Sequence, residues 1–134
     1  LDFGLVRPLD GSSDLTLDGL VTGSPLYLSP EQATGDSPAD ERSDIYSLGA
    51  VIYFLLTGRP PFCDSRTVHL LMAHAQRPPT AVSEFNEQVS LELEALVMQC
   101  LSKRPEDRFD STHDLLDALR HCPEHGESQA MKRF

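Results

Sequence analysis

Asp2 is the residue of this chain best suited to touch a reacting group. It stands in Asp2-Phe3-Gly4, and a carboxylate is the natural oxygen ligand for Mg²⁺. A second set of candidates is the hydroxyls of Ser12, Ser13, Thr16 and Thr22, spread along a Gly-rich stretch with Arg7 as its only basic residue. A phosphate placed on any of them would gain charge-assisted bonds to arginine and order the loop around it. Asp18 already brings negative charge to that stretch. The histidines offer less. His69 and His74 are five apart and share no helical face, while His121, Cys122 and His125 form one short cluster with no second half.

The elements that must position these groups follow from apolar periodicity. Ser43 to Gly58 is the most apolar run, with Ile45, Leu48, Ile52, Leu55 and Leu56 at helical spacing and Val51, Tyr53 and Phe54 on the other faces. The run reads as one buried central helix, capped by Ser43 or Asp44 and stopped by Gly58 and Pro60-Pro61. Its apolar core is far shorter than the roughly 20 residues that span a bilayer. Upstream, Ser29 as cap with Pro30 at the first position predicts a short helical turn over 29–34, after an irregular stretch over 1–28. Downstream, Ser65 opens a helix with Val68, Leu71, Met72 and Ala75 on one face. Ser90 opens another with Leu93, Leu96, Val97, Cys100 and Leu101. Ser111 with Asp114 starts a last one carrying Leu115, Leu116 and Leu119. The expectation is an all-α bundle with a loop-rich front end.

Composition bounds the rest. A chain of 134 residues with 40% hydrophobic content suffices for one modest domain. The net charge of −10 argues against nucleic acid as the main partner. Cys63, Cys100 and Cys122 are odd in number and lack a C-x-x-C pairing, which suits a reducing compartment and predicts a cytoplasmic setting. Neither a signal peptide nor a membrane span is recognisable, although a parent protein could carry an anchor elsewhere. The chain opens with Leu1 directly on a motif, and so reads as a fragment.

Asp44-Ile45-Tyr46-Ser47-Leu48-Gly49 followed by Leu56-Thr57-Gly58-Arg59-Pro60-Pro61-Phe62 resembles the central helix of the eukaryotic-type protein kinase C-lobe. Asp2-Phe3-Gly4 and Ser29-Pro30-Glu31 lie upstream in the family's order, and Arg108 lies downstream where the family has its late arginine. The resemblance covers residues 1–120, and the Leu28-Ser29-Pro30-Glu31-Gln32 wording is most similar to bacterial Ser/Thr kinases. It implies a partial kinase domain over 1–120, with an activation segment over 2–31, a helical C-lobe over 32–120, and a flexible tail over 121–134.

What the resemblance implies for single residues is specific. Asp2 would bind the Mg²⁺ that bridges the ATP phosphates, Phe3 would pack inward, and Gly4 would permit the turn. Thr16 and Thr22, then Ser12 and Ser13, would be regulatory phosphorylation sites. Ser24, where the family usually has Thr, would face the catalytic loop, and Leu26 and Leu28 would help receive the residue after the phosphoacceptor. Glu31 and Arg108 would form a buried ion pair, and Asp44 would anchor the catalytic loop from the central helix while also capping it. The Gly-rich loop, the ATP-contacting Lys and the loop carrying the catalytic Asp do not occur in these 134 residues. None of the 134 residues is therefore expected to be the catalytic base, which the resemblance would place upstream of Leu1. The reading is the C-terminal part of a Ser/Thr protein kinase acting on protein substrates and ATP, inactive by itself. The alternative is a non-catalytic, pseudokinase-like binding or scaffold module.

Overall fold

The computed structural model describes residues 24–35 and 38–122, and every regular element among them is helical. Five α-helices follow one another: α1 Pro30–Thr34, α2 Glu41–Thr57, α3 Thr67–Gln76, α4 Leu91–Cys100 and α5 Thr112–Arg120. Three 3₁₀ turns, Pro25–Tyr27, Val82–Glu84 and Pro105–Asp107, connect them. No helix among the described residues is long and apolar enough to cross a membrane.

Helix α2 is the centre. It packs on α4 and α5, and the turn at Pro25–Tyr27 lies against it, while α1 packs on α3. Ile45, Tyr46, Ala50 and Tyr53 of α2 join Val82, Val89, Leu96, Val97, Cys100, Leu101 and Leu115 in the main core. A smaller cluster of Phe62, Leu70 and Ala73 forms beneath α3, with Leu26 packed against it. The close approach of α2 and α4 depends on Gly49, where an added Cβ would stand 2.5 Å from the Cβ of Cys100.

The structure corrects three expectations. Helix α2 begins about one turn earlier than Ser43 or Asp44, because Asp40 is its cap. The Asp40 carboxylate accepts from the backbone N–H groups of Arg42 and Ser43, and the Ser43 hydroxyl accepts from the Asp40 N–H. Asp44 therefore sits in the first turn and does not cap the helix. Second, α2 is not buried all round: Leu55 is 72% exposed and Phe54 lies partly in the open. Third, α3 starts after Arg66 without a side-chain cap, since the Asp64 carboxylate takes the Arg66 N–H instead of Ser65 capping the helix. It also turns the other way round its axis. Leu70, Ala73 and His74 face inward, and Val68 and Met72 are 64% and 53% exposed. Both stripes of α3 are apolar, so periodicity alone cannot choose between them. The polar interior of the His74 environment decides.

The stop of α2 is as anticipated from sequence: Gly58 adopts φ 81° and its N–H bonds to the Phe54 carbonyl. The caps of α1, α4 and α5 are Ser29, Ser90 and Ser111, whose hydroxyls accept the N–H groups of Gln32, Leu93 and Asp114.

The Gly49 contact is testable. Ala has the higher helix propensity, by about 1 kcal/mol, yet Gly49→Ala should lower stability by about 1–3 kcal/mol through overpacking against Cys100. Urea unfolding monitored by circular dichroism measures it, and a stabilised variant would refute the close packing of α2 on α4.

Candidate functional site

The most connected polar group in the fold is the guanidinium of Arg108. A short segment, Ser102 to Asp107, wraps it, and all five of its N–H donors find acceptors. Nε donates to the Ser102 carbonyl at 2.8 Å. Nη1 donates to Glu31 Oε2 at 2.7 Å and to the Arg42 carbonyl at 2.9 Å. Nη2 donates to Glu31 Oε1 at 2.9 Å and to the Lys103 carbonyl at 3.2 Å. Both side chains are buried. Ser43 Oγ adds a 2.6 Å donation to Glu31 Oε2. Burial by itself would raise the Glu31 pKa. The hydrogen bonds from Arg108 and Ser43, with the guanidinium charge, outweigh it and hold the carboxyl below its usual range.

This pair fixes Glu31 in the first turn of α1 and so fixes the chain just before it. Ser29 caps α1 with a full reciprocal box: its Oγ accepts the Gln32 N–H, and Gln32 Oε1 accepts the Ser29 N–H at 3.0 Å. Ser47 Oγ, one turn after Ser43 on α2, donates to the Tyr27 carbonyl at 2.6 Å. Residues 27–31 are thereby held at both ends against α2, through Tyr27 and Glu31. Within them Ser24 Oγ accepts the Leu26 N–H at 3.3 Å, and Leu28 is only 1% exposed. Ser24, Pro25, Leu26 and Tyr27 are all half-buried and share the accessible surface of this turn, and Leu28 supports it from below.

Behind the turn, α3 contributes His74. Its Nδ1 shares a 2.8 Å hydrogen bond with Tyr46 Oη, and its ring meets Phe62 and Tyr46 edge-on. Its Nε2 has no partner among the described residues. Burial, and then the Lys103 charge, push the His74 pKa down to about 4, so the imidazole is neutral near pH 7. Lys103 closes the C-terminal end of α3 by donating to the Ala73 and His74 carbonyls at 3.2 and 2.8 Å, and its ammonium lies 4.5 Å from the Phe62 ring centroid. Burial and the neighbouring Arg108 lower its pKa to about 8.

The structure thus brings Glu31 to Arg108 across 77 positions of sequence. It places Ser24, Leu26 and Leu28 in the turn that this pair secures, and leaves Asp44 half-buried in the first turn of α2. Leu1, the point upstream of which the catalytic base is expected, lies outside the described residues, as do Asp2, Phe3, Gly4, Ser12, Ser13, Thr16 and Thr22. Ser43, Ser47, Tyr46, His74 and Lys103 were not recognised as parts of the site from sequence. Ser43 and Ser47 left a signal, two hydroxyls one helical turn apart on an otherwise apolar helix.

A turn clamped to a central helix by a glutamate from Ser-Pro-Glu and a distant arginine agrees with the family comparison, in which the sequence pattern of the protein kinase domain matches residues 1–121. The chain belongs to the protein kinase domain family. It is 42% identical over 115 residues to the serine/threonine-protein kinase PknB of Mycobacterium leprae, covering 86% of this chain and 18% of that protein. Against the serine/threonine-protein kinase Pkn1 of Myxococcus xanthus it is 41% identical over 120 residues, 90% of this chain and 17% of the relative. A probable serine/threonine-protein kinase of Corynebacterium efficiens is 39% identical over 137 residues, 98% and 21% respectively. The chain spans about a fifth of the length of these relatives. The clamped turn, residues 24–31, is therefore a stretch of kinase domain.

Two outcomes are expected of this kinase-domain site. Arg108→Met should cost about 3–5 kcal/mol, because it strands a buried carboxylate, and Arg108→Lys should recover only part of that with three donors instead of five. The double variant Glu31→Met/Arg108→Met should be more stable than Arg108→Met alone. Chemical denaturation of these three proteins and of Glu31→Met measures this, and a double variant as unstable as the sum of the Glu31→Met and Arg108→Met singles would count against the pair. The second concerns acid. An unfolded His74 takes a proton near pH 6.5 and the folded one only near 4. The unfolded state then binds more protons, and stability falls as pH drops through that window, by about 3 kcal/mol for this group. Denaturation midpoints from pH 7 to pH 4 should show the fall, and His74→Leu should flatten it.

Proposed function

We propose that this chain supplies the substrate-docking half of a Ser/Thr protein kinase domain, which moves the γ-phosphate of ATP to Ser or Thr hydroxyls of protein substrates. The observation that carries the reading is the Glu31–Arg108 pair, which fixes α1 directly after the turn of Ser24 and Leu26, while Ser47 bonds that turn to α2 through the Tyr27 carbonyl. Phosphoryl transfer asks a protein chiefly to position groups and to stabilise charge, so a rigid docking floor is of direct catalytic use. Leu26, backed by Phe62, Leu70 and Ala73, offers an apolar seat for the residue that follows the acceptor hydroxyl. Ser24 directs a hydroxyl towards the position of the catalytic loop.

Protein kinase domains use ATP with Mg²⁺. In this chain Asp2 is the residue that would hold the metal, a single hard-oxygen ligand, which suits an ion that keeps most of its water and binds substrate phosphates. Thr16 and Thr22, with Ser12 and Ser13 after them, are the hydroxyls that would take a regulatory phosphate and draw it towards Arg7. Leu28 lies beneath the turn, and Asp44 would brace the loop carrying the catalytic base. The Gly-rich loop, the ATP-contacting Lys and that base do not occur among the 134 residues, so the chain by itself should transfer no phosphate.

Radiolabel transfer from ATP tests both statements. The full-length product of the gene should label a Ser/Thr-containing protein mixture, and Asp2→Asn within it should reduce the rate by at least about a hundredfold. The 134-residue chain should give background only. Labelling confined to Tyr would refute the substrate class, transfer by the chain alone would refute its inactivity, and full activity of Asp2→Asn would refute the metal assignment.

A further inference from the structure

Away from the clamped turn, a groove of about 440 Å³ lies between the end of α2, the Pro60-Pro61 segment and the turn around Val82–Glu84. Three anchors build its walls in advance. Tyr53 Oη donates to the Thr80 carbonyl at 2.7 Å. Asn86 Nδ2 donates to the Leu56 carbonyl at 2.8 Å and so holds its neighbour Phe85 beside the end of α2. Thr57 Oγ1 accepts the Arg59 N–H and donates within the same turn, which fixes the backbone of Arg59. The half-buried Pro60 and the partly exposed Phe85 give apolar surface, with buried Pro61 behind them, in a volume ordinary for a ligand cleft.

Arg59 stands over this surface with its guanidinium carbon 4.1 Å from the Phe85 ring centroid. Among the described residues Arg42, Arg66, Arg104 and Arg108 each pair with a carboxylate, whereas Arg77 and Arg120, both exposed and away from this groove, do not. Arg59 pairs with no carboxylate among the described residues, although the chain carries a net charge of −10. A guanidinium resting on an aromatic face has spent only that face, and its N–H edge still offers a planar fork matched to a carboxylate. The groove thus joins a pre-positioned cation, without a carboxylate partner among the described residues, to an open wall that carries the Pro60 and Phe85 surfaces.

We infer that this groove docks an extended segment of a partner protein in which an Asp or Glu adjoins an apolar or aromatic side chain. The carboxylate takes the N–H edge of Arg59, and the neighbouring side chain lies on Pro60 and Phe85. The net charge of −10 means that an acidic segment laid against the carboxylate-rich parts of the surface meets like charge, which favours a site with an arginine that has no carboxylate partner. The site uses none of the residues of the clamped turn and needs no nucleotide.

The test uses the ¹⁵N-labelled 134-residue chain, no ATP, and two synthetic peptides, Gly-Phe-Glu-Phe-Gly and its Gln counterpart. The acidic peptide should cause saturable shifts at Gly58, Arg59, Thr80 and Phe85, and bind about tenfold more tightly than the amide peptide. Arg59→Gln should abolish the difference without changing the melting temperature, since Arg59 is exposed, and Phe85→Ala should weaken both peptides. Equal binding of the two peptides, shifts elsewhere, or no saturation would overturn the proposal. Binding that emerges only after removal of residues 1–22 or 123–134 would assign the groove to the chain's own ends and overturn it too. Because the assay contains no nucleotide, its outcome is separate from that of the phosphoryl-transfer experiment.

Discussion

A buried carboxylate cannot be left without a partner. That constraint organises residues 24–35 and much of the helical bundle after them. Glu31 is carried into the interior by α1, a helix of five residues that would not be stable in isolation. Its charge survives there because Arg108 meets both oxygens and Ser43 meets one of them. The arginine in turn gathers the carbonyls of Arg42, Ser102 and Lys103, which have no regular secondary structure of their own to satisfy them, apart from Arg42 in the first turn of α2. One side chain therefore ties together the start of α2, the loop after α4 and the whole of α1. An apolar pair of similar volume would fill the same space but would leave those carbonyls unmet.

The support extends sideways through α3. Tyr46 of α2 lies between the ion pair and His74, with the Arg108 guanidinium 5.1 Å from its ring centroid on one side and the imidazole bonded to its hydroxyl. Lys103, the residue whose carbonyl caps Arg108, uses its own ammonium to close α3. The clamp, the small apolar cluster under Leu26 and the orientation of α3 are consequently one structure. The groove at Arg59 stands apart from it, built on the far end of α2 from local turns and a single aromatic contact.

Much of this was legible in the sequence because it rests on short-range physics. The helices at 30–34, 91–100 and 112–120 announce themselves through Ser caps and apolar spacing, and Gly58 with Pro60-Pro61 marks the end of α2. The features that were not legible have a common cause. The cap of α2 was misplaced because Asp40, Ser43 and Asp44 are all competent caps, and only the fold decides that Ser43 spends its hydroxyl on both Asp40 and Glu31. The face of α3 was misjudged because Leu70, Ala73 and His74 form a stripe no more apolar than Val68, Leu71, Met72 and Ala75. A histidine is counted as polar until a tyrosine hydroxyl and two aromatic edges make the interior hospitable to it. The meeting of Glu31 with Arg108 was accessible only through resemblance to a family, since no local pattern links positions 77 apart.

That separation has a consequence for how the chain acquires its shape during synthesis. Residues 24–31 leave the ribosome long before Arg108, and until it arrives Glu31 has no reason to leave water. The front of the domain is then obliged to wait for its back, and any nascent chain ending short of position 108 holds α1 as an unanchored, solvated strand of sequence. Helices α2 and α4 can meet in that interval through Gly49 and Cys100, whereas α5, with Leu115 in the same core, follows only after Arg108. Quality control of such a protein would be sensitive to the segment around Arg108. A lesion there loosens a surface laid down 77 positions earlier.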